Sequence, residues 1–323
     1  MVDPHSRRNF LVSTSHAIAG LALAPLVGCN KPANDNSTTK VASPAKTASG
    51  GEPAERPVVP PSSQPTTPVR GNLSPAVRGS LLGPGRHDDP AGGPRQHYLS
   101  ILDLDSASEG ERLIQRVPMT FFGHGVTPRP DRPWLAVVFE KKGPGCCELD
   151  LRAGRITRRI TTKKERQFYG HGVFSKDGKR LFCTEAVVGD ASYKGVIAVR
   201  DGGTYALLGT LDSHGHAPHD LHMIDDGKTL VVTNGGGTFA SGQAPSVVWL
   251  DWQADKLVRR RELNSPKVNA GHLAVGEGNA LTVVSAPRTG MDKTAPTFVG
   301  GVSFLTNDKL HTSSHQVAKE LRG

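Results

Sequence analysis

The chain lacks most of the short motifs that mark metal and redox proteins. It has 4 cysteines in 323 residues. No two of them form a CxxC pair, so zinc ribbons and thioredoxin-like redox centres are excluded. A CxxCH haem-attachment site and an HExxH zinc helix are absent too. Beyond the N-terminal apolar stretch, no segment is long and apolar enough to cross a bilayer. The repeating part shows no helical period; its apolar residues come in short runs ended by Gly and Asp. The net charge is +9. The basic runs Arg158-Arg159, Lys163-Lys164 and Arg259-Arg260-Arg261 nevertheless have no interleaved aromatics. They read as solvated strand edges rather than a nucleic-acid surface, so no nucleic-acid partner is expected.

What is present at the N-terminus reads as an export signal over residues 1–28. Ser6-Arg7-Arg8-Asn9-Phe10-Leu11 matches the twin-arginine pattern, and a weakly apolar stretch runs from Leu11 to Leu26. That stretch is too short and too polar for a spanning helix. Leu26-Val27-Gly28-Cys29 resembles a lipobox, which makes Cys29 an expected lipid anchor. The expected location is periplasmic, held to the membrane through Cys29. Residues 29–95 are rich in Pro, Ser, Thr, Ala and Gly, and 12 of the 24 prolines fall between Asn30 and Gln96. Such a segment cannot bury enough apolar surface to offset its ordering entropy, and it reads as a disordered tether. Residues 96–323 are ample for one globular domain. In an oxidising compartment a disulfide is expected between Cys183 and either Cys146 or Cys147.

The globular part repeats itself. Gly123-His124-Gly125, Gly170-His171-Gly172, Pro218-His219-Asp220 and Gly271-His272-Leu273 place their histidines 47, 48 and 53 residues apart. A period of roughly 40–50 residues matches the four-stranded propeller blade. The clearest unit starts at His171-Gly172-Val173-Phe174 and turns at Asp177-Gly178. It continues through Arg180-Leu181-Phe182-Cys183, Gly195-Val196-Ile197-Ala198 and Tyr205-Ala206-Leu207-Leu208. Four short strands joined by Gly/Asp turns make one antiparallel blade. The expected fold is therefore an all-β propeller of four-stranded blades. About four and a half blades are visible, as if a seven-bladed ring were cut short at its C-terminal end.

Phe168-Tyr169-Gly170-His171-Gly172-Val173-Phe174-Ser175, with Phe122-Gly123-His124-Gly125-Val126, Pro218-His219-Asp220-Leu221, Val231-Val232-Thr233-Asn234-Gly235-Gly236 and His272-Leu273-Ala274, resembles a known family. It is an uncharacterised family of twin-arginine-exported bacterial proteins, domain of unknown function fifteen-thirteen, with a fold similar to WD40/YVTN-type propellers. The resemblance spans roughly Tyr98 to Gly323. It implies a genomic setting beside imelysin-type iron-uptake proteins, hence imelysin-type or other periplasmic metal-handling partners. Ala186 departs from the asparagine that tends to follow Thr-Glu in the family.

The histidines admit two readings. In WD40-type blades a Gly-His pair opens the unit and its imidazole is spent on local hydrogen bonds. Alternatively, inner strands line a common channel, so one histidine per blade can converge without any local motif. Imidazole suits Zn, Cu, Fe and Ni. The candidate ligands are His124, His171, His216, His219 and His272, with Glu185 as a further oxygen donor, and iron, copper or haem as candidate cofactors. Asp220 beside His219 can act as a mixed ligand or an outer partner. The expected function is non-catalytic metal, haem or partner binding. A redox or lactonase-like enzyme at the channel mouth and a pure interaction scaffold are the alternatives.

Overall fold

Apolar residues alternating in runs of five to nine, cut by Asp and Gly, favour strands whose two faces are both covered. In the computed structural model they form antiparallel sheets stacked face to face. The structure describes residues 80–316 except 90–91, 105–112, 191 and 307–308. Arg7, Arg8, Cys29 and most of the expected tether lie outside the described residues.

The first sheet has three strands, β1 (Ser80–His87), β2 (Gln96–Asp103) and β3 (Leu113–Met119). The second blade comprises β4 (Gly123–Pro128), β5 (Leu135–Gly143), β6 (Cys146–Asp150) and β7 (Arg155–Arg159). The third comprises β8 (Arg166–Phe174), β9 (Arg180–Val187), β10 (Lys194–Asp201) and β11 (Leu207–His216). The ends of β5 and β8 pair, which joins these two blades into one eight-stranded sheet. The fourth blade is β12 (Pro218–Ile224), β13 (Thr229–Asn234), β14 (Ser246–Asp251) and β15 (Lys256–Glu262). The fifth is β16 (His272–Val275), β17 (Leu281–Ser285), β18 (Val299–Thr306) and β19 (Lys309–Gln316). Among the described residues the sheets form an open propeller arc rather than a closed ring. Inner strands pack in series, β1 on β4, β4 on β8, β8 on β12 and β12 on β16. No helix among the described residues is long and apolar enough to cross a membrane.

Period two explains the core. Ala136 and Val138 pack with Leu99, Ile101 and Leu149 of the first two blades, whereas Val137 between them packs with Phe168, Leu181 and Cys183 of the third. Phe182 in turn leaves Leu181 and Cys183 behind and joins Leu221, Leu230 and Val248 of the fourth. Each central strand thus feeds two inter-blade layers with alternate residues.

Two expectations need correction. Composition places residues 80–87 in the tether, but β1 pairs with β2 along its full length, Ser80 opposite Asp103 to His87 opposite Gln96. Gly83, Pro84 and Gly85 mask the alternation, and proline is tolerated because β1 is an edge strand. The expected disulfide is also absent: Cys146, Cys147 and Cys183 are all buried free thiols. Cys146 and Cys147 point to opposite faces of β6 and serve two different core layers, with Cys183 in the layer of Cys146. Burial pushes the Cys147 and Cys183 thiols up to about 12. Since the thiolate is the nucleophile, the native protein should resist iodoacetamide at pH 8 and take up three equivalents at these positions only after unfolding. Rapid native labelling, followed by mass spectrometry, would refute this packing.

Candidate metal centre

The inner strands depart from regular pairing where the histidines occur. Gly123 and Gly125 of β4 oppose the consecutive residues Glu140 and Phe139, so His124 is one extra residue. On β8 the register jumps between Phe168 and Gly172, and on β12 between Pro218 and Leu221, which frees the segments containing His171 and His219. Bulges of this kind re-aim a side chain out of the pleat. His272 sits in regular register opposite Val284.

Flanking glycines let the re-aimed strands approach. A Cβ on Gly125 would lie 2.3 Å from the Gly170 carbonyl oxygen. At Gly170 itself φ is +120°, and a Cβ would lie 2.7 Å from the His124 ring. A side chain at either position would push the rings apart.

Four imidazoles, one from each of four consecutive blades, therefore meet. The six ring-centroid separations among His124, His171, His219 and His272 run from 4.8 to 5.4 Å. Four points with six near-equal separations are the corners of a tetrahedron; in a square, two separations would be longer by a factor of about 1.4. A tetrahedral ion with metal–nitrogen bonds of about 2.0–2.1 Å sets its bonded nitrogens about 3.3 Å apart and the ring centroids about 5.2 Å apart. The Nε2 atoms of His124 and His219 are 3.4 Å apart, and the four ligand atoms all lie within 4.8 Å of one another.

The surroundings hold His124 and His219 neutral and orient the rings. Burial, followed by the neighbouring cationic and imidazole groups, lowers His124 to about 2 and takes His219 well below its ordinary range. His219 Nδ1 donates to the Tyr169 carbonyl at 3.1 Å. That acceptor places the proton on Nδ1 and leaves the Nε2 lone pair facing His124. The Asp220 carboxylate lies 3.5 Å from His171 Nδ1 and 3.8 Å from His272 Nδ1. Its oxygens also accept the Leu221 and Leu273 amides at 2.8 and 2.9 Å. Burial would raise this carboxyl, but the imidazoles of His171, His222 and His272 outweigh it and hold Asp220 well below the usual carboxylate range. Asp220 is thus placed outside the cluster, where it orients the rings of His171 and His272. Asp220→Asn should weaken metal binding about 10- to 100-fold, measured by competition with a chelator of known affinity; an unchanged affinity would remove Asp220 from the centre.

Two predicted ligands stand elsewhere. His216 ends β11, the outer strand of its blade, and its Nδ1 lies 3.0 Å from Ser192 Oγ. Positive φ at Ala217 turns the chain into the next blade only after His216. Glu185 is wholly buried in an ion pair with Arg200, Oε1 to Nη2 2.7 Å, with Arg166 at 3.8 Å. Sequence reasoning missed Thr184 and Thr233. Thr184 Oγ1 donates to the carbonyls of His171 and His219, at 3.1 and 3.2 Å. Thr233 Oγ1 does the same for Asp220 and Gly271, at 3.3 and 2.7 Å. Each threonine stitches its own inner strand to the next one. The available signal was their matched position after the apolar run of successive blades.

Known structures share the architecture. Hydrazine synthase from Kuenenia stuttgartiensis is similar at 16% identity and TM-score 0.52, covering 70% of this chain and 64% of that one. A hypothetical selenium-binding protein from Sulfolobus tokodaii is similar at 10% identity and TM-score 0.53, covering 72% and 59%. This chain therefore spans about three fifths of each, and at such identities the likeness concerns the fold alone. Among curated proteins nothing matches. The family model described as Protein of unknown function (DUF1513) matches residues 117–322, which run from β3 through all four histidine-bearing blades. The chain belongs to that family.

Proposed function

We propose that this protein binds one first-row transition-metal ion through His124, His171, His219 and His272, as a non-catalytic metal-handling propeller. The observation that carries the reading is the near-tetrahedral set of six ring separations, 4.8 to 5.4 Å. Four imidazoles saturate a tetrahedral ion and leave no position for a reacting water, the mark of a holding site rather than a catalytic one. Zn(II) and Cu(I), which impose no octahedral or planar preference, fit this set best. The rings converge on a point from four directions, which leaves no plane for a porphyrin, so a bare ion is favoured over haem. The setting we propose is periplasmic, with Arg7-Arg8 as export signal, Cys29 as lipid anchor and imelysin-type proteins as partners in metal handling.

One observation favours an enzymatic alternative. The His272 side chain is 44% exposed, while that of His171 is 8% exposed. Release of His272 would open a three-histidine site of the kind that activates water.

The test is elemental analysis of the full chain after chelation, reloading with Zn(II) and desalting, with Co(II) as a spectroscopic substitute. One equivalent per chain and the intense visible bands of tetrahedral Co(II) are expected. Less than a tenth of an equivalent, or an octahedral Co(II) spectrum, would overturn the reading.

A further inference from the structure

A shallow cleft abuts the centre. Lys141, Lys142, Tyr169, Tyr193, Asn269 and Arg288 line it, together with the ligand His219. No Asp or Glu is among its lining residues. Arg288 is 3% exposed, and its guanidinium donates to the backbone carbonyls of Pro266 at 3.0 Å and Thr238 at 2.6 Å, among others. Among the described residues no carboxylate pairs with it, so a buried cation stands at the cleft without a counter-charge. The carbonyls of Gly236, Gly237, Thr238 and Pro266 and the Ser241 hydroxyl take up its donors, so it offers an anion positive charge rather than hydrogen bonds. On the opposite wall, Lys142 Nζ is 3.5 Å from the Tyr193 hydroxyl and 4.5 Å from that ring's centre. The tyrosine restricts the ammonium without neutralising it.

The metal centre has the same deficit. Neutral imidazoles bring no charge to an ion. Asp220 faces the rings with one negative charge, and Glu185 is spent on Arg200. A divalent ion therefore leaves an excess of about one positive charge in a low-dielectric setting. Lys141, which lines the same cleft beside His219, adds to it.

We infer that this cleft binds a small oxyanion, a carboxylate or phosphate group, whose charge compensates the metal bound next to it. This rests on the four-histidine reading and deepens it: the cargo arrives or is retained as metal plus anion. The two sites share His219, so metal and anion should strengthen one another's binding by the same factor, as linkage requires.

The test titrates inorganic phosphate and, separately, succinate into the full chain by calorimetry, metal-free and Zn(II)-loaded, with chloride as the control. The same titrations are made on Lys142→Gln, an exposed site outside the ligand set. Tighter binding of one oxyanion to the loaded protein, by about tenfold, is expected, and the preferred anion identifies the source. Lys142→Gln should weaken it about tenfold while leaving the Co(II) spectrum unchanged. No oxyanion binding, or binding indifferent to Lys142→Gln, would overturn the cleft. Equal affinity with and without metal would overturn the coupling. If the chain holds no metal at all, loss of phosphate or succinate binding to the metal-free protein in Lys142→Gln still supports the cleft, and absence of binding refutes it independently.

Discussion

Replacing His219 with alanine should lower zinc affinity by about a hundred- to a thousandfold, since a structural site of the proposed kind is worth about 10–16 kcal/mol shared among four ligands. His219 is 4% exposed, and its loss also strips the Tyr169 carbonyl of its donor. That unsatisfied carbonyl costs the metal-free protein about 1–3 kcal/mol. A drop in stability alone would therefore not separate a ligand from a blade-structural histidine. His272→Ala does so. Its side chain is half exposed and its strand lies in regular register, so its truncation should leave the metal-free melting temperature within about 1 °C and still cost most of the metal affinity. If His272→Ala binds zinc like the parent while His219→Ala only destabilises, the histidines are structural. Competitive chelator titration and thermal melts of both variants decide between the two.

The second large effect concerns a residue that is not a ligand. Glu185→Ala should cost about 3–5 kcal/mol, because it leaves the Arg200 charge buried and unpaired. Arg200 is 3% exposed and otherwise meets neutral groups, among them the Tyr205 carbonyl, the Phe168 face and the Cys183 thiol. For a domain of this size that loss lowers the melting temperature by roughly 10 °C. Zinc stoichiometry at a temperature where the variant remains folded should stay at one per chain. A loss of metal without a loss of stability would return Glu185 to the coordination sphere.

Most of the fold was legible in the sequence because two signals agree in the repeating units. Alternation specifies strands, as in Leu135 to Phe139, and Asp177-Gly178 or Asp226-Gly227 supplies the positive φ that closes the hairpins, seen at Gly178, Asp226 and Gly227. β1 was not legible, because Gly83, Pro84 and Gly85 carry no alternating side chains to read. The spacing of His124, His171, His219 and His272 made their convergence legible. Spacing could not reveal that bulges absorb the uneven intervals. His216 was misplaced for a related reason. It lies three residues before His219, but the chain reverses at Ala217, and a contact pattern that changes blade inside a histidine-rich segment has no signature in composition. The buried partner of Glu185 was invisible because Arg200, 15 residues on, lies on the adjacent strand but opposite Leu181, so the two meet only along a diagonal of the sheet.

One ligand per blade, as proposed here, would have a consequence for synthesis. His124 and His272 are 148 residues apart in the chain, and at about 5–20 residues per second the ribosome needs on the order of ten to thirty seconds to supply the last ligand after the first. During that interval any captured ion meets an incomplete set of imidazoles with a vacant position. Such a set has not yet acquired the tetrahedral preference of the finished one and follows the general affinity order, in which copper outcompetes zinc. Docking of β16 would then be the step at which the ion is kept or exchanged. Metal identity in this protein would be decided by the order of chain completion as well as by the finished geometry.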